Sequence, residues 1–225
     1  MNQIDETWID PSDPAIEAAA DRILAYSGEV DRTAAVTIDH CVQRIAWIER
    51  ADALDEPKLA FLLRHWQALS DDCGGVPDRG SLDVFDLVPA LGNLLMLEVE
   101  RDGFDAIYRV YGTAVAGRAA RDWTGFRVSE MIRTTRTPAA LLYRSCYRAV
   151  FRRPQPLYTE HQSPPYLNVR SWRRLILPLA DAGHPCGRFL VCNVPVGHRP
   201  LSGSDLDELE RRIQRPVPQD YPHAG

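Results

Sequence analysis

Seven side chains combine useful chemistry with informative placement: Tyr108, Tyr111, Trp123, His161, Trp172, Arg174 and Asn193. The four aromatics lie on or beside segments with a strand pattern, where each offers a large apolar surface and one polar atom. His161, Arg174 and Asn193 lie within strand segments that otherwise bury, and a buried polar group needs a partner. Aromatic walls with a few convergent polar groups suit the binding of a small molecule. Each residue also has a plainer reading. The aromatics fill a core, His161 sits on an exposed edge strand, and Arg174 lies on a solvent-facing side of the sheet.

Catalytic patterns are missing from the sequence. There is no Gly-x-Ser-x-Gly elbow and no His-Glu-x-x-His helix, and the six histidines (His40, His65, His161, His184, His198, His223) stand apart from one another without metal-ligand spacing. The five cysteines form no Cys-x-x-Cys pair and read as reduced packing residues. The expectation is a protein that is not an enzyme, with no metal and with its cofactor unspecified. Gly112-Thr113 and Thr124-Gly125 read as backbone devices, glycine supplying positive φ where strand turns into helix and Thr or Asp capping the new turn.

The elements that must position these residues follow from periodicity. Asp13-Pro14 opens a helix with Ile16, Ala19, Ala20, Ile23 and Leu24 in phase, Asp13 as its N-cap and Gly28 as its end. Ile38, Val42, Ile45 and Trp47 or Ile48 predict a second helix from Thr33 to about Ala51. Pro57 starts a third, with Leu59, Leu62, Leu63, Trp66 and Leu69 on one face. Trp66 either caps a sheet core or belongs to a dimer interface. The turn-rich stretch 71–80 separates this region from a helical turn at 81–90 and strands at 93–100 and 104–111, the second with Phe104, Ala106, Tyr108 and Val110 on one face. A helix spans about 137–151, an edge strand 157–163, and a hairpin 171–179 and 187–195. Ser204 and Glu208 stand near capping-box positions of a last helix. The segments group as a helical region 1–72, a sheet domain 81–197, and a tail 198–225 with a short helix and a Pro-rich end.

With 225 residues, 45% of them hydrophobic, the chain can fill one core. No segment has the roughly 18 apolar residues of a membrane span. The acidic N-terminus does not resemble a signal peptide, so a cytoplasmic location and no membrane partner are expected. The net charge is −5, unevenly spread: residues 1–100 carry 7 basic and 20 acidic side chains, residues 101–174 carry 14 and 5. Either the acidic region docks on the basic one, or the arginines meet an anionic ligand or partner. An acidic chain without a helix-turn-helix pattern points away from nucleic acid.

Leu63-Arg-His-Trp66, Phe85-Asp-Leu-Val-Pro89, Tyr108-Arg-Val-Tyr-Gly-Thr113, Arg121-Asp-Trp-Thr-Gly125 and Arg174-Leu-Ile-Leu-Pro-Leu-Ala180 occur in an order that resembles a bacterial PAS-type sensory domain family, found largely in alphaproteobacteria and often as stand-alone proteins. The resemblance spans about residues 60–196. It implies an α+β fold, a five-stranded antiparallel sheet with helices on one face preceded by an N-terminal helical region. It also implies sensing by ligand or partner contact and signalling through flanking helices. It names no ligand, and the chain lacks the Asn-Cys-Arg-Phe-Leu motif of flavin photosensors. Three readings follow: a sensory or adaptor protein that binds a small molecule and acts on a partner signalling protein, with a homodimer through the N-terminal helices; a ligand-free interaction module; or a small isomerase- or dehydratase-like enzyme with a buried Asp/His pair.

Overall fold

The computed structural model describes residues 8–26, 38–119 and 121–216. The chain folds as α+β around one antiparallel sheet with strand order β1-β4-β5-β6-β2-β3. The strands are β1 (Val42–Trp47), β2 (Leu94–Glu100), β3 (Asp105–Tyr111), β4 (Leu157–Gln162), β5 (Val169–Asp181) and β6 (His184–His198). The sheet thus has six strands rather than the expected five. The additional one is β1, which lies where periodicity predicts helix.

A register shift explains that difference. Val42 pairs with His161 and Ile45 with Thr159, with an irregularity between Val42 and Arg44. The extra residue reverses the side-chain alternation, so Val42 and Ile45, three apart, share one face of the sheet as they would share a helix face. β1 also covers β4, which is therefore an interior strand and not an edge.

Both faces of the sheet carry helices, rather than one. On the first face lies α2 (Pro57–Cys73), its N-terminus capped by the Glu56 carboxylate and its end turned by Gly74 at φ 68°. Its Leu59, Leu62, Leu63 and Trp66 pack on Leu175, Leu177, Leu190 and Cys192. The Trp66 indole donates to the Pro178 carbonyl at 2.8 Å. Of the two readings of Trp66, packing on the sheet is the one observed. A 3-10 segment, Val84–Asn93, leads from this layer into β2.

The second face carries α4 (Val128–Thr135) and α5 (Ala140–Arg152), with α1 (Asp13–Ala25) packed on the outside of α5. Ser12 is the N-cap of α1, which places Asp13 in the first turn; Gly28 lies outside the described residues. Ile16, Ala19, Ala20 and Ile23 are fully buried. Around that contact the charge asymmetry resolves into ion pairs. Glu17 meets Arg148 at 2.6 Å and Arg152 at 2.8 Å, Asp10 meets Arg133 at 2.7 Å, and Asp13 meets Arg144 at 3.5 Å. The apolar stripes of α1 and α2 are thus both spent within the subunit.

Two short helices complete the second layer: α3 (Thr113–Ala119) and α6 (Gly203–Ile213). The capping box of α6 is formed by Ser202 and Asp205 rather than by the expected Ser204 and Glu208. Among the described residues no helix is long and apolar enough to cross a membrane.

Candidate functional site

Strand alternation sends Leu175, Leu177, Leu190 and Cys192 into the α2 face, and sends Trp172, Arg174 and Ile176 towards α5. In register, Thr159 of β4, Arg174 of β5 and Asn193 of β6 stand side by side in one row across the sheet. Arg174 is only 1% exposed. Its guanidinium lies over the rings of Tyr147, 4.6 Å from the centroid, and Tyr143, at 4.9 Å. Its Nε and Nη1 have no hydrogen-bond partner, nor do Thr159 Oγ1 and Asn193 Oδ1 in the same row.

The other buried arginines are provided for. Arg144 donates to the carbonyls of Phe104 and Pro11 and pairs with Asp13. Arg212 pairs with Glu208 and donates to the carbonyls of Thr135 and Arg136, at 2.5 and 3.2 Å. Among the described residues no carboxylate pairs with Arg174.

Around Arg174 the aromatics converge on a cavity of about 80 Å³. Tyr108 and Tyr111 both line it although they are three residues apart in one strand. A bulge opposite Met96 and Leu97 skips Arg109, which turns Tyr111 inward and leaves Val110, expected to face the core, 51% exposed. The two rings meet edge to face at 5.1 Å. Trp123 comes from the loop after α3, where Asp122 Oδ1 accepts from Thr124 N at 2.8 Å and Gly125, at φ 88°, turns the chain so that its N–H reaches Tyr108 O at 2.7 Å. The positive φ expected at Gly125 is present. Gly112 serves a different end: a Cβ there would lie 2.5 Å from the Gly92 carbonyl oxygen, so glycine permits a close backbone crossing. Leu209, Arg212 and Ile213 of α6 form the outer wall.

Six of the seven residues singled out in the sequence line this one cavity: Tyr108, Tyr111, Trp123, Trp172, Arg174 and Asn193. The seventh, His161, lies just behind, its Nε2 3.0 Å from the hydroxyl of the lining residue Tyr143. Neither an exposed edge for His161 nor a solvent-facing Arg174 is observed; both are 1% exposed because β1 and α5 cover them. Among the lining residues that were not singled out in the sequence are four polar or aromatic ones, Tyr143, Tyr147, Tyr166 and Arg212. Tyr143 and Tyr147 carry a legible signal, an i, i+4 pair of tyrosines on one helix face. Tyr166 and Arg212 carry none, because one lies in the irregular segment between β4 and β5 and the other is brought here by the tertiary docking of α6.

Burial sets the electrostatics. It pushes His161 down to about 3, with the Arg174 charge adding to the effect, so the imidazole is neutral at any physiological pH. Burial also raises Tyr108, Tyr111, Tyr143 and Tyr147 above the usual phenol range and the Cys146 thiol to about 12. Four of the cysteines are buried and Cys73 is exposed; all are free. No aspartate or glutamate is among the residues lining the cavity. The lining can therefore donate hydrogen bonds and offer a positive charge, but it holds no group that exchanges a proton near neutral pH.

A wider cleft of about 770 Å³ lies beyond a wall shared with the cavity, formed by Thr137, Pro164, Tyr166 and Arg212. Its rim includes Trp8 and Ile38, the first described residues after 1–7 and 27–37. Asp39 and His40 stand 3.2 Å apart on this cleft, with the His40 side chain 77% exposed, so they are not a buried pair within the aromatic cavity. Compared with known proteins, the chain matches no family model, no curated protein and no solved structure.

Proposed function

We propose that this protein is a PAS-like sensory or adaptor protein that binds a small molecule in the aromatic cavity and signals to a partner protein through its flanking helices. One observation carries the reading: Arg174, fully buried, faces an aromatic cavity with two nitrogens unpartnered. A charge in that position is costly unless something compensates it, and a ligand would do so. The neutral His161, the protonated tyrosines and the absence of a lining carboxylate favour binding over catalysis. The helix placed to report occupancy is α6, since Leu209, Arg212 and Ile213 wall the cavity and Arg121 donates to the Ile213 carbonyl at 3.2 Å. A ligand that alters their packing biases how α6 sits on the body.

Native mass spectrometry of the full chain tests this reading. The expected result is a co-purified small molecule that is lost in Val115→Phe, which fills the cavity from α3. An apo spectrum, together with no thermal shift across a metabolite panel, contradicts it.

A second reading, the ligand-free interaction module, is favoured by a separate feature. Val84, Phe85 and Val88 on the 3-10 segment are 55%, 79% and 58% exposed, an apolar ridge on the α2 side of the molecule. If a partner docks there, Phe85→Asp abolishes its capture while ligand binding persists.

A further inference from the structure

The pole of the cavity specifies more than small-molecule binding. Arg174 is permanently charged, and a guanidinium is suited to a planar anion such as a carboxylate. One uncompensated cation matches one negative charge. A phosphate dianion would leave a surplus charge, and the lining supplies no second unpaired cation, since Arg212 is already held by Glu208 and by two carbonyls. Beside Arg174, Asn193 Oδ1 is an acceptor with no donor. A group seated between them therefore needs an acceptor oxygen pair for Arg174 and a donor for Asn193. Thr159 Oγ1, also unpartnered, continues the same row on the β4 side. The remaining walls, Tyr108, Tyr147 and Trp172 among them, offer ring faces and edges to a carbon body. That body must be short: about 80 Å³ is roughly half the 150 Å³ of an engineered cavity that takes benzene.

We infer that the cavity takes a short-chain hydroxycarboxylate, its carboxylate on the Arg174 guanidinium, its hydroxyl donating to Asn193 Oδ1 and its few carbons among the tyrosines. This inference rests on the small-molecule reading above and narrows it to a chemical class. It accounts for the unpartnered atoms of Arg174 and Asn193 with one ligand, and for their position side by side in one row of the sheet.

The test is a thermal-shift and calorimetric series on the full-length protein, with lactate, 3-hydroxybutyrate, butyrate and the neutral lactamide as probes. Lactate or 3-hydroxybutyrate raises the melting temperature, butyrate binds at least tenfold more weakly than 3-hydroxybutyrate, and lactamide does nothing. In Arg174→Met, whose side chain retains the volume without the charge, the response to every carboxylate disappears while the protein remains folded. Asn193→Ala, a milder change, removes the advantage of hydroxybutyrate over butyrate and leaves carboxylate binding in place. The inference is overturned if lactamide binds as well as lactate, if butyrate equals 3-hydroxybutyrate, or if Arg174→Met still responds. Failure of the wider reading looks different: a neutral molecule co-purifying in the cavity sinks the carboxylate inference and leaves sensing intact, whereas no bound molecule and no probe response of any kind removes both.

Discussion

The two faces of the sheet solve the same packing problem in opposite ways. On the α2 face, Leu59, Leu62, Leu63 and Trp66 meet the leucines of β5 and β6, and the layer closes over aliphatic side chains. On the α5 face, the neighbouring positions of the same strands carry Arg174 and Asn193, and the helices stand on tyrosines around a cavity. Because one strand supplies both faces, the difference lies in side-chain choice rather than in backbone. The closed face stabilises the fold; the open face carries polar groups that the protein alone does not satisfy. Under the proposed function, that division is what a binding site costs and what a core avoids.

The comparison can be broken most forcefully on its closed side. Leu62→Ala on α2 is expected to cost about 2–5 kcal/mol in urea unfolding, the range for a buried leucine, without altering any ligand response. A loss of ligand response in a variant that remains folded would show that the two faces are not independent. Next in size is Arg174→Met, which is expected to raise the stability of the unliganded protein by about 1–3 kcal/mol by replacing an uncompensated buried charge with an apolar side chain. A destabilised Arg174→Met would mean that Arg174 is satisfied in the free protein and would erase the distinction between the faces.

A third prediction concerns pH. His161 has its folded value depressed to about 3 against an unfolded value near 6.5, so the unfolded chain takes up the proton first. The stability this contributes is fully present above pH 6.5 and is lost as pH falls from there towards 3. Relative to His161→Gln, the wild type should lose about 1 kcal/mol per pH unit between pH 6 and 4.5. Parallel unfolding curves for the two proteins would contradict the burial of a neutral imidazole behind Tyr143. The smallest effect belongs to the periphery. Glu17→Ala breaks the pairs to Arg148 and Arg152 that hold α1 on α5, and should cost about 0.5–1 kcal/mol, less in high salt. A larger loss, insensitive to salt, would make that helix contact part of the core.

Much of the site was legible because it is written in strand alternation. Trp172, Arg174 and Asn193 follow the two-residue period, and the sequence places a polar pair where apolar residues should be. Two bulges mark where that period fails. In β1 the irregularity after Val42 puts Val42 and Ile45 on one face and imitates a helix; in β3 the bulge at Arg109 turns Tyr111 inward and Val110 outward. A three-residue spacing is the shared signature of a helical turn and of a bulged strand, and pairing with a neighbouring strand decides between them. The α6 residues were hidden for another reason, since their approach to the cavity depends on Arg212 reaching the carbonyls at the end of α4, and Tyr166 was hidden because it lies in the irregular segment between β4 and β5; neither long-range contact has a local pattern.

In the free protein Arg174 Nε and Nη1 have no hydrogen-bond partner, and they are the proposed anchor for a ligand. The Arg174 Nε–H resonance in a ¹⁵N-correlated NMR spectrum, assigned by its disappearance in Arg174→Met, reports on that atom directly. On titration with 3-hydroxybutyrate the resonance should move progressively and saturate, while those of Arg144 and Arg212, already paired, stay in place. An Arg174 resonance that remains unmoved while other signals saturate, or that shifts no more than theirs, would contradict the account.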